Sequence, residues 1–457
     1  MKKIFSFLHR IDATKFCNKN FPDNTKLHIV INGHRKLNVL PILVSSRLTN
    51  NYNRAVGLNR WSLRLMGIWP GEKQQYLRVP FMIGIIFFCL FLPQMYALAL
   101  VMEHLPLVID NLLTSCAALT SCFKLLFFWQ NRQVLDLVIE SMRKDWLRGC
   151  TDQQTRKTML KAASRARLVT TLDYSVMASC YAGFVVAPLL GFDLRTSNNI
   201  TDYPPGGRKL LVQSYYPFDY SASPTFELAY FLQLVGSFFV GMAVSIPDDY
   251  FGALILHASA QFNVLAARID GLIDEVTTTR DCSGCAAVAD PSDSSTINRR
   301  LGRLVDRHVH LYSMVLAIEK SFSLVLAGQI FCMSVMVCCL GFQILSVLNN
   351  MSDKPTPLQM VTLIGTLFTM MLHTLIDCLA SEALASQSTE IFYRICNSRW
   401  YELPYKSMRC LVPMMLVSKT PRQIKTGKII NMSLATYCSI IKSTAGYISV
   451  LIAVSVK

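Results

Sequence analysis

The stretch that decides the fold is the last apolar segment of the chain, GKIINMSLATYCSIIKSTAGYISVLIAVSV, which runs from Gly427 to Val456. As a single α-helix it would be about 45 Å long at about 1.5 Å per residue, whereas the hydrocarbon core of a bilayer is about 30 Å thick. We therefore predict a membrane-spanning helix that protrudes from the bilayer.

One face of this helix carries small side chains. Because an α-helix has about 3.6 residues per turn, steps of three or four residues return to the same face. The stripe formed in this way consists of Ala435, Ser439, Ser443, Gly446, Val450 and Val454. Bulkier side chains lie on another face, at Tyr437, Ile441, Thr444, Ile448 and Leu451. A small, hydroxyl-rich stripe either packs closely against a neighbouring helix or lines a water-filled path closed by an apolar constriction. The pattern alone favours packing.

The composition of the whole chain indicates a polytopic membrane protein. Its 457 residues are 52% hydrophobic and have a mean hydropathy of +0.35, which is too apolar for a soluble protein. The formal net charge is +16, but the basic residues form blocks between apolar stretches rather than the continuous basic face of a nucleic-acid-binding protein. We therefore expect no nucleic-acid partner.

Cysteine usage and the start of the chain agree with this class. The 15 cysteines are an odd number, and many lie inside apolar stretches as small buried residues, so no disulfide framework is predicted. The opening MKKIFSFLHR has too few apolar residues before His9 to form a signal peptide. We expect the N-terminus to stay in the cytosol.

Seven apolar stretches are each long enough to cross a bilayer as a helix. They cover approximately residues 80–102, 107–129, 168–192, 225–246, 320–348, 358–380 and 427–456. The predicted fold class is therefore an all-α membrane protein with seven transmembrane helices. In front of them, Arg54, Arg60 and Arg64 alternate with apolar residues such as Trp61 and Trp69, a pattern typical of an amphipathic helix at the membrane surface.

The basic residues give the orientation. Of the 45 Lys and Arg residues, 36 lie in the N-terminal segment and in the loops 130–167, 247–319 and 381–426, and five lie in the segments on the opposite side. Because short cytosolic loops are rich in Lys and Arg, we predict a cytosolic N-terminus and an extracellular C-terminus.

Two N-glycosylation sequons agree with this orientation. Asn199 and Asn350 fall in segments predicted to lie outside the cell, where glycosylation takes place. A third sequon, at Asn431, falls at the inner end of the last span. We expect Asn431 to stay unmodified.

Charged residues inside the predicted spans are candidates for function, because burying a charge in lipid is costly. Asp110, Asp173 and Glu227 lie near span ends, where the interface is expected to solvate them. Lys124 lies one turn from the inner end of its span, so its long side chain is expected to reach the interface.

Three further ionisable residues lie deeper. His373 and Asp377 are four residues apart on one face of the sixth span, a spacing that allows them to pair. Lys442 lies midway along the seventh span beside Ser443 and Thr444. Its charge favours a hydrated or protein-lined environment over lipid.

The sequence contains no convincing enzyme or metal-binding motif. Asp306-Arg307-His308 resembles the Asp-Arg-Tyr signature of G-protein-coupled receptors, but it precedes the fifth span and the orientation is reversed. Cys282 and Cys285 have the spacing of one zinc-binding pair, yet the histidines downstream do not have zinc-finger spacing. The sequence has no phosphate-binding loop, zincin motif or nucleophile elbow. We expect no enzymatic activity, no metal and no cofactor.

Aromatic and hydroxyl side chains recur at similar depth in the outer halves of the third, fourth and sixth spans. They are Tyr181, Phe184, Phe226, Tyr230, Thr362 and Thr366. Such a mixture suits a small apolar ligand, since ring contacts give affinity and one or two hydroxyls give orientation. Residue by residue, plain helix packing is the favoured explanation, but the pocket as a group is better supported than any single member.

Several stretches resemble the insect odorant receptor family. The residues YRICNSRWYELP (393–404) resemble the aromatic stretch that this family has between its sixth and seventh spans. Gly427-Lys428 followed by YCSIIKSTAGYISVL (437–451) resembles its closing motif. Earlier, RWS (60–62), GIWP (67–70), Lys124 and Asp145-Trp146 resemble positions that the family uses. The resemblance covers residues 54–457.

Departures from the pattern help to place the chain within the family. Gly446 stands where the family more often has a serine, and the closing sequence differs from that of the obligate co-receptor, so the chain resembles a ligand-tuning subunit. In the gustatory branch, Thr-Tyr is usually followed by five apolar residues and Gln-Phe, whereas here Thr436-Tyr437 is followed by Ser443-Thr444. A gustatory-type chemoreceptor channel is therefore the less favoured alternative. A membrane transporter is a further alternative, but no inverted repeat is evident.

The resemblance implies a function and a site. It implies a tetrameric, odorant-gated, poorly selective cation channel formed with an olfactory co-receptor, embedded in lipid in the plasma membrane of sensory neurons. The ligand would be a small hydrophobic odorant. The seventh helix of each subunit would line a central pore, which reverses the preference for packing: Ser439 and Ser443 would be pore wall, and Val450 with Val454 would be an apolar gate.

The same resemblance divides the chain into four regions. We expect a cytosolic N-terminal tail with an amphipathic segment (1–79) and a six-helix ligand-binding membrane bundle that includes cytosolic loops (80–380). A cytosolic anchor segment (381–426) and the pore-lining seventh helix (427–457) follow.

Overall fold

The computed structural model describes residues 40–69, 75–149, 152–189, 210–220, 222–282, 291–349, 357–427 and 429–455. The two sequons at Asn199 and Asn350 lie outside the described residues, as does the side chain of Val454. The described part of the chain is almost entirely helical, as predicted.

The helices within the described residues are bounded as follows. They are α1 (Leu40–Leu65), α2 (Gln75–Ile85), α3 (Leu92–Leu100), α4 (Leu105–Gln130), α5 (Arg132–Gly149), α6 (Gln153–Leu189), α7 (Thr225–Cys282), α8 (Pro291–Asn349), α9 (Pro357–Asn397), α10 (Tyr405–Ser418) and α11 (Leu434–Ser455). A π-helical turn at Ile86–Phe91 joins α2 to α3, and a 3₁₀ turn at Trp400–Glu402 precedes α10. Two short antiparallel strands, β1 (Lys425–Thr426) and β2 (Ile430–Asn431), precede α11.

Six helical stretches of the described chain are long and apolar enough to cross a membrane. They are Leu77–Leu100, Leu105–Gln130, Gln153–Val186, Thr225–Thr279, Ser295–Val347 and Met360–Asn397. Each overlaps one of the first six predicted spans, in the same order. Helix α11 has 22 residues, which is about 33 Å at about 1.5 Å per residue and sufficient for a seventh crossing.

Helices α7 and α8 are much longer than the spans predicted within them, at 58 and 59 residues. Their extensions continue as helix because apolar residues recur on one face and find partners there. On α7, Phe262, Leu265 and Ile269 are at most 1% exposed. The hydrophobic core of the bundle therefore continues along these extensions, beyond the apolar spans.

The last helix begins at Leu434 rather than at residue 427, so the predicted 45 Å helix is too long. Gly427 has φ +58°, a left-handed conformation that suits glycine and forms the turn between β1 and β2. Its amide donates to Ser323 O at 3.0 Å, which ties the hairpin to α8. The helix then starts after Ser433, whose hydroxyl accepts a 3.2 Å hydrogen bond from the Thr436 amide as an N-cap.

Helix α1, which covers the predicted amphipathic segment, has one buried and one exposed side. Leu63 is 1% exposed, whereas Trp61 is 63% exposed. The buried side packs on α6, where Tyr174 Oη donates to Ser62 Oγ at 2.8 Å. The opposite side keeps apolar surface available for the membrane interface.

Candidate functional site

Part of the bulky face of α11 packs into the bundle, whereas Ile441 on the same face is 37% exposed. Ile448 lies against Gly341 of α8 so closely that the Cβ of any larger residue at position 341 would overlap the Ile448 side chain. Thr444 is 2% exposed and its hydroxyl donates to Ile440 O at 2.8 Å. Tyr437 Oη lies 3.9 Å from Met371 Sδ on α9. The face that carries Tyr437, Thr444 and Ile448 therefore packs α11 against α8 and α9.

The small-residue stripe of α11 is on the opposite side and is exposed. Ser439, Ser443 and Gly446 are all exposed, and Val450 is 62% exposed. No atom lies within 4 Å of a Cβ placed on Gly446. Within the described part of the chain, these four stripe residues thus do not pack against a neighbouring helix.

Lys442 points to the same side and is exposed halfway along α11. Together with Ser439 and Ser443 it gives this face of α11 three polar side chains. Hydrocarbon solvates none of them, and a lysine at the bilayer centre costs several kcal/mol. This face therefore requires water or another protein chain beside it.

The aromatic candidates on α6 and α7 come together in the structure. Tyr181 donates a 2.9 Å hydrogen bond to Leu234 O and meets the Phe238 ring edge-on at 5.8 Å. On α7, the rings of Phe226 and Tyr230 stack at 5.9 Å. Tyr181 and Phe238 therefore form an aromatic contact between the two helices, and Phe226 and Tyr230 form a second ring pair on α7.

Tyr230 differs from Tyr181 in the state of its hydroxyl. Tyr230 Oη is buried and has no hydrogen-bond partner in the described part of the chain. It lies close enough to Tyr181 for the two hydroxyls to interact electrostatically. A buried hydroxyl without a partner carries a desolvation cost that a ligand's polar atom can relieve.

The remaining candidates are less closely connected to this group. Thr366 donates its hydroxyl to Thr362 O at 2.8 Å, a bond that stays within α9. Helix α9 approaches α6 at Gly365, beside Cys180. Phe184 is half-buried one turn beyond Tyr181. The structure therefore brings Tyr181, Phe226 and Tyr230 together and places the two threonines on the helix that faces them.

Sequence reasoning missed the segment 210–220, which folds against the ends of the first and fourth spans. Gln233, which is fully buried on α7, accepts from the Val212 amide at 3.2 Å and donates to Ser214 Oγ at 3.1 Å. Tyr220 packs with Leu210 and Phe226. Gln233 in an apolar span could have indicated this segment, since a buried glutamine side chain requires hydrogen-bond partners.

A buried polar cluster contains four of the ionisable residues inside the spans, Lys124, Asp173, His373 and Asp377, and this corrects several expectations. Lys124 does not extend to the interface: it is 1% exposed and binds Asp248 Oδ1 and Oδ2 at 2.8 and 2.7 Å. Asp173 is likewise buried rather than solvated, 3.1 Å from His373. The cause is that α4, α6, α7 and α9 meet here, so partners distant in sequence satisfy the charges.

The expected pairing of His373 with Asp377 is wrong. His373 faces Asp173 and, at 3.6 Å, Asp248. Asp377 instead lies 3.4 Å from Gln329 Nε2, which also donates to Asp248 at 2.8 Å. Asp110 accepts a 3.1 Å hydrogen bond from Gln343, and Glu227 is exposed, as a residue near a span end should be. Within the described residues no cluster of His, Cys, Asp or Glu has the arrangement of a metal site.

A second charged group lies outside the apolar spans. Asp145 is bound by Arg307 at 2.7 Å and by His257 at 3.2 Å. Burial alone would raise the pKa of Asp145, but His257 and Arg307 outweigh it and hold the pKa below its ordinary value. His308 points the other way, to Ser418 on α10, and burial lowers its pKa to about 4. The tripeptide 306–308 thus joins helices rather than acting as a receptor signature.

Comparison with known sequences places the chain in one group of receptors. The model of the family described as 7tm Odorant receptor matches residues 104–445. Odorant receptor 13a of Drosophila melanogaster is 21% identical over 359 residues, which are 75% of this chain and 79% of that relative.

Comparison with solved structures shows the fold. The insect olfactory receptor OR5 from Machilis hrabei in complex with eugenol aligns with a TM-score of 0.69 at 18% identity, over 90% of this chain and 99% of that chain. A structure of OR5 from Machilis hrabei described without eugenol gives a TM-score of 0.70 at 17% identity, over 87% and 97%. The alignment confirms the predicted all-α architecture with seven transmembrane helices.

Proposed function

The chain belongs to the odorant receptor family, and we propose that it is an odorant-gated, non-selective cation channel subunit that acts with an olfactory co-receptor. Family membership makes the chain a multi-pass membrane receptor for odorants and confirms the prediction that it is not an enzyme. We propose, in addition, that odorants gate the chain, that it conducts cations and that it assembles with the co-receptor.

One observation carries the channel proposal: the polar stripe of α11 is exposed while the opposite face is packed. In a bilayer, an exposed face with Ser439, Lys442 and Ser443 is stable only against water or another chain. A water-filled pore between several subunits supplies both the water and the neighbouring chains. Val450, on the same stripe and nearer the C-terminal end, supplies the apolar constriction that closes such a path.

The aromatic group of α6 and α7 is the proposed odorant site. Tyr181, Phe226 and Tyr230 offer ring surface to a small hydrophobic molecule, and the Tyr230 hydroxyl offers a donor without a partner. Phe184, Thr362 and Thr366 complete the proposed lining. The segment 210–220 covers part of Phe226 through Tyr220 and Leu210.

The proposal includes an assembly and an orientation. The chain is a ligand-tuning subunit of a hetero-tetramer, in contact with membrane lipid, in the plasma membrane of sensory neurons. Its N-terminal tail (1–79) and anchor segment (381–426) face the cytosol, the bundle (80–380) holds the ligand, and the last region (427–457) lines the pore. The 36-to-5 distribution of Lys and Arg supports this orientation.

Recording from cells that express this chain with and without the co-receptor tests the proposal. We expect a small hydrophobic odorant to evoke a cation current only when both chains are present, because one set of α11 helices does not complete the pore. Cells with the co-receptor alone serve as the control. Concentrative uptake of the odorant without current would contradict the channel and favour a transporter.

A further inference from the structure

A separate cavity lies outside the apolar spans, between the end of α5, the start of α6, the extension of α7 and the start of α8. Its volume is about 400 Å³, which is within the usual range of roughly 300 to 1,000 Å³ for small-molecule sites. Arginines from three of these helices line it. They are Arg148, Arg268, Arg300, Arg303 and Arg307.

The cavity carries an excess of positive charge. Asp145 also lines the cavity, and its carboxylate forms a salt bridge with Arg307 at 2.7 Å. Arg300 forms a bidentate pair with Glu275 at 2.7 and 2.8 Å. Two of the five guanidinium groups are thus paired with these carboxylates, and a third, that of Arg268, interacts with the nearby carboxylate of Asp152, so five arginines face three carboxylates. The like charges that stay in one small volume repel one another, and a bound anion would relieve this repulsion.

Two buried hydrogen-bond donors in the cavity lining have no partner in the described part of the chain. They are Gln261 Nε2 and Arg307 Nη1. Gln261 is 5% exposed, and its Oε1 accepts from Arg307 Nη2 at 2.9 Å. Because a guanidinium only donates, this bond fixes the amide orientation and leaves Nε2 as the orphan. Both vacant groups are donors, so the missing partner is an acceptor.

The kind of acceptor follows from the side chains. All five cationic residues are arginines, whose planar guanidinium matches the oxygen spacing of phosphate better than a lysine does. The charge excess suits an anion with several phosphate groups rather than one carboxylate. The size of the cavity excludes a nucleic-acid duplex or a folded protein.

The depth of the cavity favours a soluble ligand over a lipid headgroup. The apolar span of α8 begins near Lys320, and Arg307 precedes it by 13 residues, which is about 20 Å of helix at about 1.5 Å per residue. On α7, Gln261 follows the predicted span end at residue 246 by a similar distance. A headgroup held at the bilayer surface is therefore too far away to fill this cavity.

We propose that the cavity formed by α5, α6, α7 and α8 binds a soluble organic polyphosphate, with Arg268, Arg303 and Arg307 contacting phosphate oxygens and Gln261 donating to one of them. Its cytosolic location rests on the proposed orientation. The helices that form it continue into the membrane bundle, so a bound anion would brace the inner ends of α7 and α8 against each other.

Binding of inositol hexakisphosphate to the purified full-length protein in detergent tests this proposal, and ATP is the second probe. We expect saturable binding that weakens as salt is raised, because the contacts are ionic. Arg268→Gln with Arg303→Gln should weaken binding by about tenfold or more, since each lost contact to a charged phosphate is worth a sizeable free energy. Both residues are exposed, so folding should be retained, as checked by gel filtration and ligand-free thermal unfolding.

Arg299→Gln is the matched control, because Arg299 is an exposed arginine on the same helix and does not line the cavity. It should bind inositol hexakisphosphate like the wild type. Equal losses in Arg299→Gln and in the double variant would reveal nonspecific charge attraction and overturn the proposal. Binding only to vesicles that contain phosphatidylinositol bisphosphate, without binding of either soluble probe, would also overturn it. The assay needs no channel current, so its failure is separate from failure of the proposed function.

Discussion

Lys124 Nζ lies 2.7 Å from Asp248 Oδ2, with the two side chains 1% and 6% exposed. The ammonium also donates to Val244 O at 2.7 Å, so its three donors meet two carboxylate oxygens and a carbonyl. This pair joins α4 to α7 at the centre of the bundle, beside His373 and Gln329. The pair and its neighbours connect four spans, α4, α7, α8 and α9, through buried polar contacts.

Lys124→Met should therefore destabilise the protein severely. Removing one partner of a buried ion pair costs about 3–5 kcal/mol, because the other charge stays buried without compensation. We expect a large loss of thermal stability in detergent and of surface expression. Lys320→Met is the matched control, since Lys320 is an exposed lysine, and it should behave like the wild type. A double variant with Asp248→Leu that is more stable than Lys124→Met alone would confirm the pairing, whereas a simple sum of losses would contradict it.

The orphan hydroxyl of Tyr230 gives a prediction on ligand recognition. Tyr230→Phe keeps the ring and should weaken the response to odorants with a hydrogen-bond acceptor by about fivefold, because one hydrogen bond contributes about 1 kcal/mol. The response to apolar odorants should stay unchanged. Concentration–response curves measure this. Tyr181→Phe is the matched control, because the Tyr181 hydroxyl is already used by Leu234 O. Equal shifts of the concentration–response curve for both classes of odorant in Tyr230→Phe would contradict the hydrogen bond and indicate that Tyr230 only packs.

The candidate site shows which parts of the structure a sequence can predict. Apolar length located the spans, and periodicity identified the exposed stripe of α11, because both depend on neighbours in the chain. Lys124 and His373 were misplaced because their partners, Asp248 and Asp173, lie on other helices. The start of α11 was misplaced because the hairpin is held by Ser323 of α8. Contacts between distant segments decide such features.

The proposed orientation predicts the use of the sequons. Asn199 should carry a glycan and Asn431 should not, since only the former faces the lumen. A mass shift removed by a glycosidase and abolished by Asn199→Gln with Asn350→Gln is the expected result. A shift that persists in that double variant and vanishes with Asn431→Gln would reverse the orientation.

The gate prediction concerns the apolar end of the stripe. A narrow ring of valines resists conduction because it loses water, and a polar side chain lowers the cost of wetting. Val450→Ser or Val454→Asn should raise the current without odorant, by about tenfold for each 1.4 kcal/mol by which the substitution favours the open state. Ile448→Ser, on the packed face, should lower surface expression instead. Unchanged basal current in both valine variants at normal surface levels would place the gate elsewhere.

The central claim is that the exposed face of α11 lines the ion path and the packed face does not. Cysteine modification by a charged, water-soluble methanethiosulfonate tests it in cells that also express the co-receptor, with the unsubstituted chain as baseline because Cys438 is itself exposed. Ser443→Cys should lose odorant-evoked current on modification beyond that baseline. Thr444→Cys, at a position that is 2% exposed, should not. Loss of current in Thr444→Cys with no effect in Ser443→Cys would contradict the account.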